Sequence, residues 1–124
     1  QGRVTLLHCI SVAAQEEEDR LRIYKKLVDT DTNVTVCPWA ALGMKQHKDK
    51  TAPLHNSIAP VDEMLEAGVN VSVGIDNISD MFVPEDRGDL FEEIILLASA
   101  VRTYDIPTLA KIATINGRKT LKLN

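Results

Sequence analysis

Gly68-Val69-Asn70-Val71-Ser72-Val73-Gly74-Ile75-Asp76-Asn77 is the stretch whose reading decides the fold. Val69, Val71 and Val73 alternate with Asn70 and Ser72, the period-2 pattern of a strand with one apolar and one polar face. The strand ends at Gly74-Ile75-Asp76-Asn77, so an acid and an amide sit just past its carboxyl end. Upstream, Pro60 opens a short helix in which Val61, Met64 and Leu65 share a face, and Gly68 suits the C′ position that follows. Downstream, Asp89 is an N-cap with Glu92 at capping-box spacing. Leu90, Ile94, Leu97, Ala98 and Val101 then build the apolar stripe of a helix running to about Tyr104. Pro107 starts another helix through about Thr114, and a last short one covers Gly117 to Leu121.

Two further strands precede this unit. Val4-Thr5-Leu6-Leu7 is a short apolar run, and Val34-Thr35-Val36-Cys37 is ended by Pro38, which cannot continue a ladder of hydrogen bonds. Between them the pattern turns helical from Val12. Leu21, Tyr24, Leu27 and Val28 fall on one face, Glu16 to Asp19 crowd the first turns, and Lys25 and Lys26 lie near the end, as the helix dipole favours. Glu16 with Arg20, and Glu18 with Arg22, are spaced for ion pairs one turn apart, so the acidic run reads as a solvated helix face. Residues 38–59 read as a long loop carrying Trp39, Gly43, His47, Pro53 and His55.

The strands start at residues 4, 34 and 69, spacings of 30 and 35 residues. Those are the spacings of βαβ units, which predict a parallel sheet with right-handed crossovers. Three parallel strands leave two open edges, and a complete (β/α)8 barrel takes about 250 residues. The expected fold class is α/β: a portion of a (β/α)8 TIM-type barrel, with three parallel strands and flanking helices, spanning residues 1–124.

Composition sets the outer bounds. The 124 residues are 44% hydrophobic and 26% charged, with a net charge of -4, the values of an ordinary globular domain. Acidic and basic residues are interleaved, so no basic stripe is available to neutralise nucleic-acid phosphates. No apolar run approaches bilayer length and no signal peptide is recognisable, which gives a cytoplasmic expectation without a membrane partner. Cys9 and Cys37 sit near two strand ends with no cysteine at metal-ligand spacing, and are expected to be buried thiols. Neither stands in the Pro-Cys-x-x-Cys motif of the zinc deaminases that bind metal through thiolates.

In parallel α/β folds ligands bind at the carboxyl ends of the strands. The residues there are His8, Cys37-Pro38-Trp39 and Asp76-Asn77. His8 and Asp76 are a metal-capable pair, with Asp as an oxygen ligand that also accepts a proton from water and His as a ligand or an orienting group. A structural reading stands beside this one, because a strand-end Asp also serves as a turn or N-cap residue and a strand-end His as a satisfied structural side chain. Trp39 reads as a loop anchor, with a substrate platform on the active-site face as the second reading, and His47 and His55 as exposed or loop-packing residues rather than ligands.

Three segments carry a family resemblance. Gly2-Arg3-Val4-Thr5-Leu6-Leu7-His8 resembles the sixth barrel strand of cytosine deaminase-like enzymes of the amidohydrolase superfamily. Gly68 to Asn77 resembles the eighth, and Ala113 to Leu123 is similar to their closing helical segment. The resemblance places the chain in the C-terminal portion of the barrel, strands 6 to 8 and the closing helices. It implies that Asp76 binds the metal and accepts a proton, that His8 contacts the hydrolytic water, and that Phe82 and Asn77 line the substrate site. Asn77 stands where the cytosine enzymes carry a second acid, and Ile75 where they carry a polar residue, which points away from cytosine itself. The family's His-x-His pair, its fifth-strand histidine and its proton-shuttling glutamate have no counterpart in this sequence.

The implied activity is hydrolysis of a C-N bond in a small-molecule substrate, a nitrogen heterocycle or amide. One divalent metal ion, zinc or iron, would be completed by ligands absent from this chain. The chain is read as a fragment of a longer enzyme, inactive alone and able to self-associate or to pair with the missing barrel half. Two alternatives remain open at this level: a ring-opening cyclic amide hydrolase on the same barrel, and a non-catalytic α/β binding domain.

Overall fold

Short runs rich in β-branched residues become the strands, and the amphipathic segments between them become the helices that cover one face. The computed structural model describes residues 4–44 and 58–123. Within them the order is β1 (Thr5–Leu7), a 3-10 turn (Ile10–Ala14), α1 (Glu17–Asp29), β2 (Asn33–Val36), α2 (Pro38–Gly43), α3 (Val61–Glu66), β3 (Val71–Val73), α4 (Leu90–Val101), α5 (Ile106–Ala113) and α6 (Ile115–Leu121). The strands form one parallel sheet in the order β1-β2-β3, with Leu6 opposite Val34 and Val34 opposite Val71. No helix among the described residues is long and apolar enough to cross a membrane.

In-register residues of parallel strands share a face, so the valine alternation sorts the sheet into two sides. Val34, Val36 and Val71 are buried against Tyr24 and Leu27 of α1, Met64 of α3, Leu97 of α4 and Ile112 of α5. The opposite side is polar. Thr35 and Ser72 hydroxyls meet at 2.9 Å, and Asn70 Nδ2 donates to Asn33 Oδ1 at 2.9 Å and to Thr120 Oγ1 of α6 at 3.1 Å. Asn116 Nδ2 donates to the Val71 carbonyl at 2.8 Å and so occupies one acceptor on the outer edge of β3.

The expected C′ glycine is observed: Gly68 has φ 88°, and the amides of Gly68 and Val69 bond back to Leu65 and Met64 at 3.0 and 2.9 Å. Asp89 and Asp105 cap α4 and α5, accepting from the amides of Phe91 and Thr108 at 2.8 and 2.9 Å.

Four local expectations are corrected. The first helix begins at Glu17, because Gln15 and Glu16 are extended and separate it from the 3-10 turn. Its buried side is Tyr24 and Leu27, with Leu21 and Val28 exposed. The expected ion pairs also change: Arg20 reaches across to α3 and binds Glu63 through two of its three nitrogens at 2.8 and 3.0 Å, while Arg22 pairs with Asp19. A planar guanidinium matches a carboxylate better in this forked geometry than an exposed pair along one helix can. Finally, Pro38 does not open a loop but the short helix α2, since its fixed φ suits the first helical position. His47 and His55 lie outside the described residues.

Candidate active site

Where the chain leaves the sheet, the backbone turns sharply at two residues. The His8 amide still bonds to the Thr35 carbonyl at 2.8 Å, and the Gly74 amide to the Val36 carbonyl at 2.8 Å, so pairing persists to the strand ends. His8 then takes φ 62° and Asp76 φ 74°, left-handed conformations that side-chain-bearing residues seldom adopt. Such conformations cost roughly 1–3 kcal/mol each and cluster at functional sites. Here they turn both side chains toward each other across the end of β2, with His8 Nε2 3.2 Å from an Asp76 carboxylate oxygen. Both side chains are about one-third exposed, open to solvent and to a ligand.

Cys37, at the end of β2, completes a cluster in which imidazole, thiol and carboxylate place one ligand atom each within 4.8 Å of one another. Burial pushes the Cys37 thiol up to about 12, and the negative charges of Asp76 and Glu93 act in the same direction. It is therefore a neutral thiol, and the groups suited to a hydrolytic cation are the imidazole and the carboxylate. His8 Nδ1 is buried with no partner among the described residues. A ring proton on Nε2 can be donated to Asp76, which leaves Nδ1 as a bare acceptor. Gly74 makes the close approach possible: a Cβ there would lie 3.0 Å from Thr35 Cγ2 and 3.5 Å from Cys37 Sγ.

His8 and Asp76 face a cavity of about 510 Å³ that Ala40 and Ala41 of α2 line from one side and Asn77 and Phe82 from the other. Asp80 organises the second wall. It accepts from the amides of Phe82 and Val83, both at 2.9 Å, and from the Asn77 side-chain amide. The Val83 amide, then the Asn77 amide and the Phe82 amide, hold the Asp80 carboxyl below the usual carboxylate range. Phe82 itself is 74% exposed at the rim. All four residues singled out in the sequence thus border one cavity. Trp39 does not line it; its backbone amide, in the first turn of α2, donates to Glu93 Oε2 at 2.9 Å. Cys9 is free but only partly buried, a correction to the expected burial of both thiols, and Cys37 is free and buried.

Asp80, Asp86 and Glu93 were not legible as site residues. Glu93 did leave a signal, since it falls three residues after Leu90 and four before Leu97, inside the apolar stripe of α4. Asp80 and Asp86 act through loop geometry, which has no periodicity to read.

No protein-family model matches the chain. It is 36% identical over 77 residues to a 5-methylthioadenosine/S-adenosylhomocysteine deaminase of Thermoanaerobacter pseudethanolicus, covering 56% of this chain and 17% of that protein. Its fold is similar to 5-methylcytosine deaminase from Klebsiella pneumoniae, with a TM-score of 0.88 at 19% identity over 99% of this chain and 30% of that one. It is also similar to N-isopropylammelide isopropylaminohydrolase from Burkholderia multivorans, with a TM-score of 0.79 at 20% identity over 100% of this chain and 29% of that one. The chain spans less than a third of the length of each of these proteins. The chain therefore has the fold of the C-terminal part of an amidohydrolase barrel, three parallel strands with their flanking helices, as found in cytosine deaminase-like enzymes.

Proposed function

We propose that this chain supplies His8 and Asp76 to a metal-dependent hydrolase that cleaves a C-N bond of a nitrogen heterocycle, as a deaminase. The observation that carries the reading is the 3.2 Å approach of His8 Nε2 to the Asp76 carboxylate at the cavity, with both residues on left-handed backbone. Similarity to deaminases and to an aminohydrolase supports the reaction class.

Asp76 would hold one divalent cation together with ligands outside this chain. Zinc or iron in that position supplies the Lewis acidity that makes water a nucleophile near neutral pH. Asp76 has a second carboxylate oxygen with which to accept the proton that water gives up. His8 orients the attacking water through the nitrogen that faces Asp76. Asn77 and Phe82, on the cavity wall, position the substrate, with the Asn77 amide fixed by Asp80 and the Phe82 ring available to lie against a planar heterocycle.

The test is Asp76→Asn in the complete barrel enzyme, measured as ammonia release together with bound metal. The substitution preserves shape and removes the charge and the proton acceptor. Loss of turnover by about a thousandfold or more, with weakened metal retention, is expected. Full activity in Asp76→Asn would overturn the assignment, and product formation without ammonia would favour ring-opening amide hydrolysis.

A further inference from the structure

The apolar stripe of α4 contains an acid. Glu93 is 1% exposed, and a second acid, Asp86, is 2% exposed. Removing carboxylates from water without a cationic partner is expensive, and no salt bridge to either is present among the described residues. Each has one satisfied oxygen: Glu93 Oε2 accepts from the Trp39 amide at 2.9 Å, and Asp86 Oδ1 from the Gly88 amide at 2.7 Å. The other two oxygens, Glu93 Oε1 and Asp86 Oδ2, are buried without a hydrogen-bond partner, and Asp86 acts on Glu93 through both charge and a side-chain hydrogen bond that favours the protonated acid. Two carboxylates cannot bond each other, because both only accept. One proton between them satisfies both oxygens and removes one of the two charges.

We propose that Asp86 and Glu93 share one proton, and that this acid pair is a positioning device clamping both walls of the His8–Asp76 cavity. On one side the pair holds the first turn of α2 through Trp39, and α2 presents Ala40 and Ala41 to the cavity. On the other it closes the loop after β3. The Asp86 carbonyl accepts from the amide and hydroxyl of Ser79 at 2.8 and 2.7 Å, and the loop between them presents Met81, Phe82 and Val83 to the cavity.

The clamp is pH-dependent. Burial pushes Glu93 up to about 7 against the opposing Trp39 hydrogen bond, and the charges of Asp86 and Asp76 push the same way. The other titratable or charged groups on this side are Cys37, a neutral thiol at the start of α2, and Glu85, Arg87 and Glu92, which line the adjoining surface cavity with Trp39. In the unfolded chain Glu93 loses its proton near its ordinary value of 4.5. Between that value and about 7 the folded form binds more protons than the unfolded form, so this contribution to stability falls as pH rises through the window. Above it the pair carries two adjacent buried charges and releases the walls.

Amide hydrogen exchange on the 124-residue chain tests this from about pH 5.5 to about pH 8.5, with protection factors corrected for intrinsic base catalysis. The reporters are the amides of Trp39 and Gly88, and Val34, bonded to the Asn70 carbonyl at 2.9 Å, is the sheet control. Reporter protection should fall about tenfold or more across that range while Val34 changes little. In Glu93→Gln the side-chain amide donates to Asp86 and still accepts from Trp39 with no proton to lose, so protection should stay within about twofold at every pH. A flat wild-type profile overturns the proposal, as does a Glu93→Gln profile that falls as steeply as wild type. If Glu93→Gln does not fold, the wild-type profile decides together with Asp86→Asn, whose amide can donate to the Glu93 carboxylate and should move the fall in protection to lower pH, an unmoved fall overturning the proposal. Turnover does not enter the readout, so failure here is separable from failure of the hydrolase assignment.

Discussion

The candidate site rests on a glycine as much as on its titratable groups. Gly74 lies two residues before Asp76, and a Cβ there would lie 3.0 Å from Thr35 Cγ2, tighter than nine in ten such contacts, so Thr35 would have to shift. Thr35 is in turn held by Ser72 at 2.9 Å, so it cannot give way without losing that hydrogen bond. Gly74→Ala should therefore destabilise the chain by about 1–3 kcal/mol, the range for forcing extra volume into packed structure. The measurement is the urea midpoint at unchanged slope, and a midpoint equal to wild type would show that the sheet accommodates the methyl group. The residue scale also explains the uneven legibility of the site. His8 and Asp76 stood out because strand ends are predictable places for chemistry, whereas their left-handed φ values follow from where the chain must go after the sheet.

At the scale of elements, one polar network ties α1 to α3. Arg20 binds Glu63 through two nitrogens, and the buried Tyr24 hydroxyl donates to the same carboxylate at 2.9 Å. The Arg20 hydrogen bonds first, and the Tyr24 hydroxyl after burial has opposed them, hold Glu63 below the ordinary carboxyl range. Lowering of an acid means that its contribution is present at neutral pH and lost as pH falls through the folded-state value. Tyr24→Phe should cost about 0.5–1.5 kcal/mol, and Arg20→Ala should also lower stability because it leaves Glu63 with Tyr24 alone. Denaturant titrations of the single and double variants measure both losses, and strict additivity would argue against one shared network. The sequence offered Arg20 a partner four residues away on its own helix. Only the packing of α3 beside α1 brought Glu63, 43 residues on, within reach.

For the molecule as a whole, the sheet order β1-β2-β3 puts the two halves of the candidate site on strands that do not touch each other. β2 sets the separation between His8 and Asp76, with Cys37 at its end between them. The three histidines of the sequence, His8, His47 and His55, include no His-x-His pair. His8 and Asp76 alone give too few ligands for a four-coordinate catalytic cation. The purified 124-residue chain should therefore release no detectable ammonia from heterocyclic substrates with zinc or iron added. Metal-dependent release by this chain alone would mean that its own residues suffice for catalysis.

What the sequence by itself determined is the three strands, their ends and most of the helices. Valine alternation, proline and glycine positions and capping aspartates act over a few residues, so the three strands, the Gly68 stop and the Asp89 start were readable before any packing was known. The 30- and 35-residue strand spacings fixed parallel pairing for the same reason, because a crossover helix needs that length. The tertiary structure alone decided the buried side of α1, the partner of Arg20, the helix after Pro38 and the burial of Asp86 and Glu93. These depend on which surfaces face one another across the fold, a matter of burial and charge between distant segments that no local pattern encodes.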